Sequence, residues 1–170
     1  MTNEEKRQAV TERLEQLGIK YSLYEHAAVY TMEEAAKEEA RLSLPENSVI
    51  VKNLFLKEHN SDKYFLVVTA GEKNTDIKSL RKYLGTKPLS FASAEQLEKI
   101  LGVTAGSVTP LAVMNDAERA VTLIIDDSLK KSGQLLGVHP NENTATVYIT
   151  YKDLEKYAES CGHMLINMQV

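Results

Sequence analysis

Cysteine occurs once in these 170 residues, as Cys161. An intramolecular disulfide framework is therefore excluded, and the chain suits a reducing cytoplasm. Long hydrophobic runs are missing too: none approaches the roughly 20 residues that span a bilayer, so no membrane partner is expected. Met1–Arg7 holds no apolar h-region, so no secretory signal is expected. Familiar catalytic signatures are absent: no phosphate loop of the Gly-Lys-Ser type, no nucleophile elbow, no dinucleotide fingerprint. His26, His59, His139 and His163 are scattered, and Cys161 with His163 is not a zinc pattern. Neither a metal nor a cofactor is expected. There is no internal repeat, low-complexity tract or linker, and the length suits one domain over residues 1–170.

Charge of one sign does not dominate. The net charge of -4 argues against a generic nucleic-acid or DNA binder, but its distribution is uneven. Residues 1–46 have 6 basic and 10 acidic side chains, residues 47–100 have 9 and 6, and residues 101–170 have 5 and 8. A basic middle between acidic flanks allows a local anionic ligand without requiring one. Its cationic cluster is Lys73, Lys78, Arg81, Lys82 and Lys87, around a helix read from Ile77 to Leu84; a solvated helix face explains it equally well.

What is there is organised around Ser48–Glu58. No Gly or Pro interrupts this stretch, and it is apolar on both faces. Ile50, Leu54 and Leu56 alternate with Val49, Val51 and Phe55. Lys52 and Asn53 sit in its middle, one on each face. A buried ammonium is costly unless it is paired or opens onto a cavity. Either the strand frays and Lys52 snorkels to water, or Lys52 and Asn53 line a polar pocket cut into an apolar wall.

Around that strand, capping and periodicity predict helices over 2–17, 32–41, 77–84, 94–101 and 151–160. Strands are expected over 19–25, 63–69, 89–91, 120–125, 134–138, 144–149 and 165–168, with 48–58 and 63–69 forming a hairpin. Strands and helices mix without a regular βαβ rhythm. The expected class is α+β, a mixed, mostly antiparallel, curved sheet surrounded by helices in a single domain.

Three short stretches can carry chemistry. Lys52-Asn53 is the first. The second is Gly106-Ser107-Val108-Thr109-Pro110, either a plain surface turn or a loop whose glycine permits close approach to a ligand. The third runs from Gly137-Val138-His139 to Asn143-Thr144, where a strand enters a loop. Its histidine either is satisfied by backbone or handles a proton or an oxyanion.

Together these stretches resemble the YbaK-like aminoacyl-tRNA editing family, whose domain also occurs as an insertion in bacterial prolyl-tRNA synthetases. The likeness is to its freestanding ProX/PrdX branch. It rests on Val51–Leu56, Asp76–Arg81, Leu89–Ser93, Gly106–Leu111 with Asn115-Asp116, and Gly137–Pro140 with Asn143–Ala145. It runs from about residue 14 to the end. One departure is His26-Ala-Ala28, where the family often has His-Pro-Pro.

The resemblance implies a cytoplasmic hydrolase that clears alanine from mischarged proline tRNA. Lys52 would be the lysine that activity needs, and His139 would orient substrate or water. Val51, Asn53, Gly106–Pro110, Gly137, Val138 and Asn143 would frame the aminoacyl pocket. No Ser-His-Asp set is visible, so no acyl-enzyme is expected; the resemblance implies that a hydroxyl of the terminal ribose helps to activate water. Selectivity would be steric: a pocket for proline cannot strongly reject alanine, and a second, smaller pocket can. Lys73, Lys78, Arg81 and Lys82 would meet the phosphates of the acceptor stem. Prolyl-tRNA synthetase is a further expected partner. The alternatives are the same chemistry on cysteinyl-tRNA(Pro) or seryl-tRNA, and a non-catalytic tRNA- or synthetase-binding module.

Overall fold

The computed structural model, which describes residues 1–170, makes Ser48–Glu58 a single unbroken strand, β2. Seven further strands surround it: β1 (Ser22–Glu25), β3 (Tyr64–Ala70), β4 (Leu89–Phe91), β5 (Val121–Asp126), β6 (Leu135–Val138), β7 (Ala145–Thr150) and β8 (Leu165–Met168). The helices are α1 (Asn3–Gln16), α2 (Met32–Arg41), α3 (Ile77–Leu84), α4 (Ala94–Leu101) and α5 (Tyr151–Ser160). Their starts follow local chemistry. Thr2, Ser93 and Thr150 each close a reciprocal capping box, and Asp76 caps α3 through the amides of Lys78 and Ser79.

The order across the sheet is β1-β7-β6-β2-β3-β5-β8, with β4 beside β2. Four pairings are antiparallel and three parallel, so the sheet is mixed, as expected. The hairpin of β2 and β3 runs from Val51↔Ala70 to Lys57↔Tyr64. β1 is shorter than the expected 19–25. Gly18, at φ +69, ends α1, and the Ile19 amide folds back onto the Leu14 carbonyl at 2.9 Å. Ile19 therefore closes the helix and enters the core instead of joining the sheet.

On the edge facing away from β3, β2 pairs with β6 only through Ser48–Ile50 and with β4 only from Leu56 to Glu58. Between those contacts Val51–Leu54 have no strand beside them. β2 and β6 are parallel and part after Ile50↔Gly137, so a cleft opens there. Crevices at the carboxyl ends of diverging parallel strands are favoured ligand sites.

The two faces of the sheet are covered differently. One face carries Val51, Phe55, Leu66, Val68, Leu123, Val138 and Val147, and it packs against α1, α4 and α5 as the main core. On the other face Leu56, Phe65, Val67 and Ile124 pack under Leu80 of α3. The rest of that second face lies under α2, a helix with no buried residue of its own. What lies beneath α2 is a cavity and not a core. No helix of the chain is long and apolar enough to cross a membrane.

Candidate functional site

Strand register decides which side chains form the floor of this cavity. Ile50 pairs with Gly137, Gly137 with Tyr148, and Thr146 with Tyr24. Directly paired residues share a face, and so do residues two apart. Ile50 and Lys52 of β2, Gly137 of β6 with His139 just beyond it, Thr146 and Tyr148 of β7 and Tyr24 of β1 therefore lie on one surface. All seven line a cavity of about 220 Å³. Its roof is Val29–Met32 with Ala35, Glu38 and Glu39 of α2 and Leu42 just beyond it, and its side wall is Ala105, Gly106 and Val108.

Lys52 stands where β2 and β6 part. Its ammonium is half-buried and donates to the Lys73 carbonyl at 3.1 Å. The side chain of Lys73 turns the other way and bonds both carboxylate oxygens of buried Asp126 at 3.0 Å. Asp126 also accepts from Ser128 Oγ and from the Val170 amide. Burial pushes its carboxyl up, but the Ser128 and Lys73 hydrogen bonds outweigh this and hold it below its ordinary range. The fraying alternative for Lys52 fails: the strand is continuous, and the ammonium is held at the cavity wall.

Asn53 points to the opposite face and donates to the Val108 carbonyl at 3.0 Å. That bond seats the 105–108 turn against the open edge of β2. The Gly106–Pro110 segment divides. Gly106 and Val108 line the cavity, whereas Ser107, Thr109 and Pro110 are buried away from it. Thr109 Oγ1 donates to the His139 carbonyl at 2.7 Å and accepts from the Leu111 amide, so it braces the histidine instead of facing a ligand. Gly106 meets a packing demand: a Cβ there would lie 2.8 Å from Tyr30 and 2.9 Å from Asn143.

His139 Nδ1 lies 3.2 Å from the Ala145 carbonyl. A carbonyl only accepts, so Nδ1 carries the proton and Nε2 keeps its lone pair. Burial pushes the imidazole below its ordinary value, which keeps it neutral. His26 lies beside it, with ring centroids 6.3 Å apart and Nε2 bonded to Thr146 Oγ1 at 2.8 Å.

Val51, Asn53, Gly137 and Val138 border the cavity, with Val51 and Val138 also part of the core on the other face. Asn143 does not. Its side-chain amide grips the Val29 backbone in both directions, accepting from the amide at 3.2 Å and donating to the carbonyl. It therefore fixes the roof loop. The next turn of that loop is held by Glu34, whose carboxylate accepts from the Tyr30 amide at 3.0 Å. The 139–144 loop is pinned in turn by Arg7, which reaches Glu142 at 2.9 Å and Thr144 at 3.0 Å.

The basic cluster also divides. Lys73 is neutralised by Asp126, while Lys78, Arg81 and Lys82 stand exposed along α3. α3 covers the same sheet face as the cavity. No group of three or more His, Cys, Asp or Glu side chains is placed to hold a metal ion.

Tyr24, His26, Thr146, Tyr148 and the lining residues of α2 are additions to the set expected from the sequence. Alternation within 144–149 was the available signal for Thr146 and Tyr148, but which of the two faces met the cavity required the register.

The model of the aminoacyl-tRNA editing domain matches residues 26–157. The prolyl-tRNA editing protein ProX of Acetoanaerobium sticklandii is 40% identical over 157 residues, 92% of this chain and 93% of that protein. Prolyl-tRNA synthetase associated domain-containing protein 1 of Danio rerio is 35% identical over 158 residues, 92% of this chain and 83% of its own. A solved structure of a proposed trans-editing enzyme for prolyl-tRNA synthetase superposes with a TM-score of 0.71 at 20% identity over 97% of both chains, which shows a shared fold.

Proposed function

The chain belongs to the aminoacyl-tRNA editing family, and from that premise we propose that it is a trans-acting hydrolase that removes alanine from mischarged proline tRNA. The observation that carries the reading is the placement of Lys52. An ammonium and a neutral imidazole lie on one cavity floor where two parallel strands part, within reach of one small ligand.

Hydrolysis of this ester adds water to the carbonyl carbon and breaks its bond to the ribose oxygen. Free alanine and an intact tRNA 3′ end are released. Charge develops on the carbonyl oxygen, and a fixed cation nearby stabilises it. Lys52 takes that role or holds the adjoining phosphate. Its hydrogen bond to the Lys73 carbonyl fixes its direction before substrate arrives. His139 orients the water through the free lone pair of Nε2. No side chain is assigned as nucleophile.

The alanine methyl, and exclusion of the larger proline ring, are assigned to the wall where Val51, Val108 and Val138 border the cavity. The acceptor stem is assigned to Lys78, Arg81 and Lys82, which stand exposed on α3 over the same sheet face. Contacts of that kind are salt-sensitive and independent of sequence. The purified protein, given alanyl-, cysteinyl-, seryl- and prolyl-tRNA(Pro), is expected to release alanine fastest and to spare proline. Release of none of the first three overturns the proposal, and faster release of cysteine or serine reassigns its substrate.

A further inference from the structure

Two polar groups of the cavity take no part in the chemistry above, and both are unpartnered. Glu39 of α2 lines the roof, and its carboxylate forms no ion pair or hydrogen bond. Its neighbour Glu38, by contrast, is held by Arg41 at 2.8 Å and by the Ala27 amide. The ring of Tyr148 is buried, at 3% exposure, and the residue lines the cavity floor with its hydroxyl in no hydrogen bond to the protein. Neither group is engaged by another side chain, so both are free to bond a ligand in the cavity.

The ring of Tyr148 is fixed on two sides. It meets Tyr24 edge-on, with centroids 5.7 Å apart, and it lies over Gly137, where a Cβ would come within 2.9 Å of Cε1. Burial and the charge of Glu39 push the phenol up to about 12, so it stays a donor with an available lone pair. Glu39 and Tyr148 line the same cavity, one from the roof and one from the floor.

The cavity is therefore dipolar. Lys52 supplies positive charge where β2 leaves β6, and Glu39 supplies negative charge above β7. Two strand spacings, about 10 Å, separate those backbones, less the reach of the side chains. An aminoacyl ester is dipolar in the same sense, with electron-rich carbonyl and phosphate oxygens at one end and an α-ammonium at the other. We propose that Glu39 and Tyr148 together receive the α-ammonium group of the substrate's amino acid, so that the site selects aminoacyl groups with a free amine over N-acylated ones. This assignment rests on the editing reading of the cavity.

The test is binding of a non-hydrolysable mimic, 3′-(L-alanylamino)-3′-deoxyadenosine, and of its N-acetyl form, followed by NMR titration. Wild type should bind the free amine at least about 10-fold more tightly, the size expected of one charge-assisted hydrogen bond. Glu39→Gln should lose most of that preference, and Tyr148→Phe, which keeps the ring, should lose part of it. Equal binding of both compounds by wild type, binding of neither, or an undiminished preference in Glu39→Gln overturns the proposal. Deacylation of alanyl-tRNA(Pro) by wild type is measured alongside. Its absence would overturn the editing reading while the binding result still decides the ammonium site.

Discussion

The Lys52 ammonium donates to the backbone carbonyl of Lys73 at 3.1 Å, while the Lys73 side chain is bound to buried Asp126. One lysine is thus aimed by the main chain of another, whose own charge is neutralised elsewhere. Asp126 acts on the site at second hand, through the 71–73 turn. Asp126→Asn weakens the hold on Lys73 and lets that turn shift. A misplacement of about 1 Å costs up to about 100-fold in rate. The expected result is a kcat lower by about 10-fold or more with KM little changed, read from steady-state deacylation. A rise in KM alone would argue against positioning.

Arg7 clamps α1 to the 139–144 loop. Glu142 is fully buried, and its carboxylate accepts from Arg7, from the Thr144 amide and from the Thr144 hydroxyl. Arg7→Ala leaves a buried carboxylate without its counter-ion, which costs about 3 kcal/mol or more. For a chain of this size that lowers Tm by about 6–12 °C, measurable by calorimetry. An unchanged Tm would show that Thr144 alone satisfies Glu142.

His139 gives the site and the fold a common pH dependence. Its folded value lies below the unfolded value of about 6.5, because burial disfavours the charged ring. The unfolded chain then binds the proton more readily, so the stability this group contributes is present above pH 6.5 and is lost as pH falls through the folded value. Turnover should fall over the same acid range, because a protonated Nε2 cannot accept from water. His139→Asn is expected to flatten the acid limb of the stability profile in denaturant titrations from pH 7 to pH 5. A limb equally steep in the variant would assign it to other groups.

Gly137→Ala probes the floor. The new methyl would sit 2.9 Å from Tyr148 Cε1 and 3.3 Å from Thr146 Cγ2. β6 is buried at this point, so the Tyr148 ring must swing into the cavity. KM for alanyl-tRNA(Pro) is expected to rise severalfold, while Tm falls by a few degrees at most. A pure loss of stability with unchanged KM would mean that the strand moved instead.

Local chemistry made much of this fold readable in the sequence. Ser48–Glu58 has no breaker, and its alternation of Val51 and Phe55 against Leu54 and Leu56 matches the two packed clusters found on opposite faces. Gly18 reads as a helix stop, but the return of the Ile19 amide to Leu14 depends on cap geometry, so β1 was expected three residues too early. Lys52 and His139 could be singled out as polar groups in apolar or strand-end settings. Tyr148 could not, since a tyrosine in a strand is ordinary until Gly137 is known to lie beside it. Asn143 and Lys73 show the converse. Each has the right chemistry for a ligand, and each is engaged by a partner more than 50 positions away, Val29 or Asp126.

The central claim is that a cation fixed at the parting of β2 and β6 drives ester hydrolysis, and it is tested most directly by single-turnover deacylation of alanyl-tRNA(Pro) with wild type and Lys52→Ala. Lys52 contributes no core contact, so the variant should keep the wild-type Tm while its rate falls about 100-fold or more, the loss typical of removing one group that stabilises an oxyanion. A folded Lys52→Ala protein that clears alanine at the wild-type rate would contradict the account.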